Sequence, residues 1–210
     1  MLRSRFWIVA FAAACALGLV AAASAGEAFA SRTFTVQPGG PQTGRTGAVF
    51  FNVEGRKNGD SGKYASFGVL EFPAAEFAEV GKGGTLTLTL TQSVARFSAD
   101  GPLKIYLATT NLDPRALKFD LAGIDGLGSQ VSSKSALGSV SFKKAETGKA
   151  DSFTLTLDDA SRDFIKARAS KGEPIQLVVA PDDETVAATY LGAGPTEATR
   201  RPRLAVGTPK

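Results

Sequence analysis

The side chains that most often carry catalysis or bind transition metals are nearly absent from this chain. It has no histidine, and its single cysteine is Cys15, which lies in an apolar N-terminal run. Outside that run, a Ser-His-Asp triad, a Cys-His dyad and a zinc site built on histidine or cysteine are therefore excluded. Carboxylate chemistry remains, because a glycosidase needs only two acidic side chains about 5–10 Å apart across the scissile bond.

Two acidic clusters supply carboxylates, Asp158-Asp159 and Asp182-Asp183-Glu184. Neighbouring residues on a strand point to opposite faces, so neither cluster is a catalytic pair by itself. Both follow apolar strands, where acidic residues commonly serve turns and helix caps. We therefore predict a protein that is not an enzyme, with a carboxylate-dependent lyase or hydrolase as a remote alternative.

Calcium is the one cofactor that the acidic residues suggest. It accepts carboxylates and backbone carbonyls in loops, and the candidate ligands are Asp182, Asp183 and Glu184. The favoured interpretation of these three residues is a charged hairpin tip, so we predict no cofactor and keep calcium as the alternative.

Sugar binding is the chemistry that the aromatic and basic residues favour. Tyr106 lies two residues from Lys104 on the polar side of an alternating segment, so we expect an outward-facing ring with the lysine beside it. Basic side chains would pair with the carboxylates of an acidic polysaccharide. The candidate ligand-binding residues are Tyr106, Lys104, Arg56, Lys57 and Arg96. The competing interpretation is that the tyrosine covers a sheet edge and that the basic side chains are simply solvated.

The N-terminus has the pattern of an export signal. Phe6 to Val20 is an uninterrupted apolar run, two arginines precede it, and Ala23-Ser24-Ala25 has the small-x-small spacing of a signal-peptidase site. We predict a cleaved signal peptide over residues 1–25 and a single domain over residues 26–210, located in the periplasm or outside the cell without membrane contact. A permanent anchor is the alternative, because the run approaches the ~20 residues of a transmembrane helix.

Charge argues against one class of partner. Arg3 and Arg5 are removed with the signal peptide, so the mature chain has 22 of the 24 basic residues and all 20 acidic ones. A nucleic-acid-binding domain is expected to carry a strongly basic stripe. The densest basic cluster, Arg200, Arg201 and Arg203, is most simply a solvated segment that protects a sheet edge. We predict no nucleic-acid partner.

Period-2 alternation is the dominant pattern of the remaining chain. From Thr85 to Thr91, leucines occupy every second position and threonines the others, so one face is apolar and the other polar. Glycine and proline turns separate the alternating segments, which predict an all-β fold, an antiparallel jelly-roll-like β-sandwich of about nine or ten strands. Besides Thr85–Thr91, the predicted strands are Thr33–Val36, Ala48–Val53, Tyr64–Phe72, Leu103–Leu107, Ala136–Phe142, Phe153–Leu157, Ile175–Val179, Val186–Leu191 and Arg203–Val206.

One segment has helical spacing instead. In the segment from Asp159 to Ser170, Phe164, Ala167 and Arg168 share one side at helical spacing, and Lys171-Gly172 follows. We expect one short helix across an end of the sandwich, with Asp159 or Ser161 capping its first turn and with Phe164 and Ile165 buried.

Three segments together resemble a known group of proteins. They are Tyr64 to Phe72 before the alternating Thr85 to Leu90 strand, the helix Ser161 to Ala169 that leads through Lys171-Gly172-Glu173 into Ile175 to Val179, and the ending Arg201-Pro202-Arg203-Leu204-Ala205-Val206. In this order they resemble secreted bacterial β-sandwich modules of the DNRLRE type, which are similar to a group of carbohydrate-binding modules. The resemblance implies a jelly-roll-like sandwich that binds a polysaccharide or a cell-surface polymer. The stretch that gives those modules their name is absent here.

Two functions from different classes follow from these observations. The leading prediction is a non-catalytic secreted module that binds a polysaccharide or another cell-envelope polymer. The alternative is a structural, extracellular-matrix or surface protein that has no small ligand and whose sandwich is itself the building block.

Overall fold

The computed structural model describes residues 26–37, 40–42, 48–55, 66–81, 84–93, 96, 98–113, 136–194 and 198–207. Within these ranges the chain forms twelve β-strands and one α-helix. The strands are β1 (Glu27–Phe29), β2 (Arg32–Gln37), β3 (Gly40–Gln42), β4 (Phe50–Glu54), β5 (Phe67–Pro73), β6 (Thr85–Thr91), β7 (Gly101–Leu107), β8 (Gly138–Phe142), β9 (Ala150–Thr156), β10 (Pro174–Pro181), β11 (Ala187–Leu191) and β12 (Arg203–Val206), and the helix is α1 (Asp159–Ser170).

The strands form an antiparallel sandwich. One sheet has the order β1-β12-β6-β9 and the other the order β3-β2-β5-β10-β7-β8. A separate pair, β11-β4, joins the four-stranded sheet where Gln92, just after β6, forms a bridge with Tyr190. Successive strands cross between the layers several times, so distant parts of the chain depend on one another for their packing.

The alternating leucines of β6 and β9 fill the space between the layers. Leu86 and Leu88 lie opposite Leu155 and Phe153, and all four side chains are buried. They share one continuous core with residues of the six-stranded sheet, among them Leu177 on β10. Burial of each such side chain stabilises the fold by about 1.5–3 kcal/mol. The strand period of two thus produces the core directly.

The β4-β11 pair closes one side of this core. The Phe51 ring packs against the backbone of Gly68 on β5, where a Cβ atom would collide with the ring. The centroid of the Phe51 ring lies 5.7 Å from that of Tyr190, which is fully buried. The Tyr190 hydroxyl donates to the Asp151 carboxylate at 3.2 Å, so the ring is anchored at its polar end as well.

A second apolar cluster lies on the outer face of the six-stranded sheet. It is built from alternate residues of β2, β5 and β10, which are buried, and Tyr106 on β7 packs against its edge. Its buried members are Phe34, Val36, Phe67, Val69, Ala108, Leu112, Val178 and Ala180. Gln176 fixes Leu112 above this sheet, because its side-chain amide bonds both the backbone N–H and the carbonyl of Leu112 at 2.6 and 3.2 Å. This outer face is therefore largely covered.

Helix α1 lies against the short 3-10 turn Ala74–Phe77, as expected for a helix across one end of the sandwich. Ile165 is buried, whereas Phe164 is only half-buried and lies under the Arg168 guanidinium. The N-cap is Asp158, whose carboxylate accepts a hydrogen bond from the Ser161 N–H at 2.7 Å. The prediction that Asp159 or Ser161 caps the helix was therefore wrong.

In the described residues, no helix has the length and apolar character needed to cross a membrane.

The predicted fold class is confirmed. Each of the ten predicted strands overlaps an observed one, and the structure adds β1 and β3. Both added strands have only three residues, too few for alternation to be recognised in the sequence. The predicted signal peptide lies outside the described residues.

The two faces of β9 provide a direct test of this packing. Leu155 is fully buried and Thr154 is exposed on the opposite face. We expect Leu155→Ala to lower the free energy of unfolding by about 2–5 kcal/mol, because it removes core contacts and leaves a cavity. Thr154→Val keeps the branched side chain and should change it by less than about 0.5 kcal/mol. Chemical denaturation measures both values, and equal effects of the two substitutions would contradict the two-layer packing.

Candidate functional site

The structure places Tyr106 and Lys104 on the same outward side of β7. Both side chains are half-buried, and β7 pairs with β10 so that Tyr106 lies opposite Val178 and Lys104 opposite Ala180. Tyr106 therefore forms the rim of the outer apolar cluster, and Lys104 lies one row beyond it. We call Lys104, Tyr106 and Asp182 the β7 patch.

Asp182 completes the β7 patch through an ion pair. Its Oδ1 atom lies 2.5 Å from the Lys104 Nζ atom, and the two side chains are 31% and 38% exposed, respectively. The hydrogen bond to Asp182 raises the pKa of the Lys104 ammonium above its usual value. A partly exposed carboxylate and ammonium beside an aromatic ring can donate to and accept from the same sugar hydroxyl. Lys104 is already paired, so a carboxylate ligand would have to compete with Asp182 for it.

The neighbouring acidic residue Asp183 has a local structural role. Its Oδ1 atom accepts hydrogen bonds from the backbone N–H groups of Thr185 and Val186 at 2.7 and 2.9 Å, and from the Thr185 hydroxyl at 3.0 Å. These bonds hold the pKa of the Asp183 carboxyl below its usual range. The carboxylate thereby shapes the turn between β10 and β11, in the manner of an Asx turn.

Two of the three predicted calcium ligands are thus already engaged by protein groups. Asp182 pairs with Lys104, and Asp183 accepts three protein hydrogen bonds. Among the described residues there is no group of three acidic, histidine or cysteine side chains arranged to hold a metal ion. A calcium ion would have to displace these contacts, and the calcium site stays a prediction.

Glu54, at the end of β4, lies close to this same turn. The next residue, Gly55, donates its N–H to the Val186 carbonyl at 2.8 Å. A Cβ atom on Gly55 would collide with the Asp183 carbonyl oxygen, so the close approach of the turn requires glycine. Burial raises the pKa of the Glu54 carboxyl from 4.5 to about 7.

The other predicted site residues are not brought to the β7 patch by any described contact. Arg56 and Lys57 lie outside the described residues, and Arg96 is exposed between β6 and β7. The candidate carboxylates Asp158 and Asp159 belong to α1, where Asp158 caps the first turn and Asp159 pairs with Arg162. Tyr190 is fully buried in the core and offers no face to a ligand.

The pairing of Lys104 with Asp182 was not predicted. The sequence pattern predicts Lys104 for a sugar site and Asp182 for a metal site, and the two residues are far apart in the sequence. The signal that could have found it is the antiparallel pairing of β7 with β10, since Pro181, the last residue of β10, lies opposite Leu103 near the start of β7.

Comparison with known proteins yields no family. No family model matches the chain, and no curated protein matches it, so the resemblance to DNRLRE-type modules stays a prediction. Among solved structures, the K1 cleaved adhesin domain of Lys-gingipain from Porphyromonas gingivalis W83 aligns over 85% of this chain and 91% of its own, with 11% identity and a TM-score of 0.29. A likeness at this level assigns no function to the chain.

The raised pKa of Glu54 predicts a decrease in stability toward neutral pH. The folded chain holds this proton more tightly than the unfolded chain. The contribution of Glu54 to the free energy of unfolding is therefore greatest below about pH 4.5 and is lost as the pH rises through about 7. The full shift corresponds to about 3 kcal/mol, and solvent screening of a partly exposed carboxyl reduces this to about 1–2 kcal/mol. Calorimetry should give a melting temperature about 2–8 °C lower at pH 8 than at pH 5.

Glu54→Gln is the matched variant for this measurement, because it keeps the shape of the side chain and removes the titration. Its melting temperature should change much less between pH 5 and pH 8. The carboxyls with lowered pKa values, Asp100, Asp158 and Asp183, titrate below this window. A variant that retains the full slope would show that another group is responsible.

Proposed function

We propose that this chain is a non-catalytic secreted module that binds a polysaccharide or another cell-envelope polymer through the β7 patch. The observation that supports this most is the Lys104–Asp182 ion pair at 2.5 Å beside the half-buried Tyr106 ring. An aromatic face packs against the C–H groups of a sugar ring. The charged pair bonds its hydroxyls.

The rigidity of the patch favours binding. Tyr106 and Lys104 lie on an interior strand of the six-stranded sheet, between β10 and β8. Asp182 follows β10 directly, and its N–H donates to the Pro102 carbonyl at 2.9 Å. Side chains that a sheet already holds in place lose little conformational entropy when a ligand binds.

The charge of the patch favours uncharged sugar hydroxyls over uronate groups. Asp182 neutralises Lys104, and the ion pair must be broken before Lys104 can pair fully with a ligand carboxylate. Sugar hydroxyls can insert beside the pair without breaking it, since they both donate and accept. The basic residues Arg56, Lys57 and Arg96 stay candidates for an acidic polymer.

The proposal is tested on a glycan array that includes neutral and acidic polysaccharides, followed by titration of the best ligand. Tyr106→Ala should weaken binding about tenfold, which corresponds to the loss of about 1.4 kcal/mol of contact energy. Lys171→Ala, on the exposed residue that follows α1, is the control and should bind as the unmodified protein does. Retention of no glycan, together with concentration-dependent self-association in light scattering, would reject the proposal in favour of a matrix protein.

A further inference from the structure

The outer face of the four-stranded sheet carries a regular array of hydroxyl groups. Three residues of β6 and three of β9 lie in register on this face, each pair directly opposite. The pairs are Thr85 with Thr156, Thr87 with Thr154, and Thr89 with Ser152. We call these six residues the threonine grid.

The strand geometry sets the spacing of the threonine grid. Adjacent strands lie about 4.8 Å apart, and alternate residues of one strand lie about 6.6–6.8 Å apart. The hydroxyls of Thr89 and Ser152 are close enough to share a hydrogen bond, at 3.4 Å. The β9 members are exposed and the β6 members are half-buried, so the grid is a solvent-accessible layer, unlike the covered outer face of the opposite sheet.

An aromatic ring extends one row of the grid. Phe29 on β1 lies opposite Arg203 on β12, which lies opposite Thr89. Because paired residues point to the same face, the Phe29 ring is on the same side as the threonine grid. It is 41% exposed, a high value for a phenylalanine. The exposed ring therefore presents an apolar face beside the hydroxyl groups of this row.

The electrostatics of this face identify the kind of partner it fits. The six grid side chains carry no charge. The charged pair beside them, Arg203 and Glu27, is neutralised internally at 3.2 Å. Since these eight described residues add no net charge, they give no net electrostatic attraction to an acidic polymer or a nucleic acid. It matches a neutral partner that is rich in hydroxyls.

A second copy of the chain matches this face less well. Sheets that pack face to face interdigitate apolar side chains, and the grid presents threonine and serine. Each hydroxyl can donate one hydrogen bond and accept two, and the threonine methyls supply apolar contact between them. Hydroxyl and C–H groups alternate in the same way on the surface of a polysaccharide chain.

We propose that the threonine grid and Phe29 form a second binding surface, which holds a neutral polysaccharide chain lying flat on the four-stranded sheet. The surface lies on the opposite layer of the sandwich from the β7 patch, so it goes beyond the function proposed for that patch. Phe29 stacks on one sugar ring, and the grid bonds the hydroxyls of the rings that follow.

The experiment measures depletion of the purified protein from solution by two insoluble neutral polysaccharides, microcrystalline cellulose and chitin. The double variant Thr87→Lys/Thr154→Lys introduces two charges at the centre of the grid, on positions whose side chains point away from the core. It should weaken adsorption to the better of the two polymers at least tenfold, and Phe29→Ala should weaken it several-fold.

The matched control is Ala167→Lys/Ser170→Lys, which adds the same charge at exposed positions of α1; it should adsorb like the unmodified protein. The inference is overturned if neither polymer retains the protein, or if the grid variant binds as well as the control. If only Tyr106→Ala weakens adsorption, the β7 patch is the binding surface and the threonine grid is rejected. If only the grid variant weakens adsorption, the threonine grid is the binding surface and the β7 patch is rejected. If the grid variant makes an oligomer dissociate without changing adsorption, the face is a contact between copies of the chain, and the inference is also overturned.

Discussion

The leucine faces of β6 and β9 are the constraint on which the rest of the molecule depends. Residues 26–210 contain no cysteine, so no disulfide can restrict the unfolded chain of this domain, and burial between the layers must supply the stabilisation. Leu86, Leu88 and Leu155 are fully buried within one continuous core. Because side chains alternate along a strand, burying them forces the intervening threonines outward. The core thus creates the polar outer face of the four-stranded sheet as a direct consequence.

The two outer faces of the sandwich differ in what they offer a partner. On the six-stranded sheet, Phe34, Val69 and Val178 are buried, the β7 patch lies at the rim of that cluster, and the Arg32–Glu71 ion pair lies on the same face. On the four-stranded sheet the hydroxyls are open across two adjacent strands. Under the two proposals, these surfaces on opposite layers would hold two polymer chains at once, and linked binding events would raise the overall avidity without new contacts.

Local pattern was enough to predict most of the fold, because strand alternation and helical spacing depend on neighbours in the sequence. Asp158 was missed as the cap of α1 because several acidic and hydroxyl residues there fit the same motif. The candidate site was less predictable, since it depends on contacts between distant residues. Lys104 and Tyr106 share a face by alternation alone, but Asp182 joins them only through the pairing of β7 with β10. Likewise, Phe29 reaches the threonine row only through β12.

Hydrogen–deuterium exchange resolved to single amides tests the central claim that the interlayer core holds the two sheets as one cooperative unit. If it does, the paired amides of β6, β9 and β10 will exchange only through global unfolding, with the same free energy of opening as that measured by denaturation. Faster exchange of β6 and β9 than of β10, with a separate and smaller free energy of opening, would contradict the account. It would show that the four-stranded layer opens without the other.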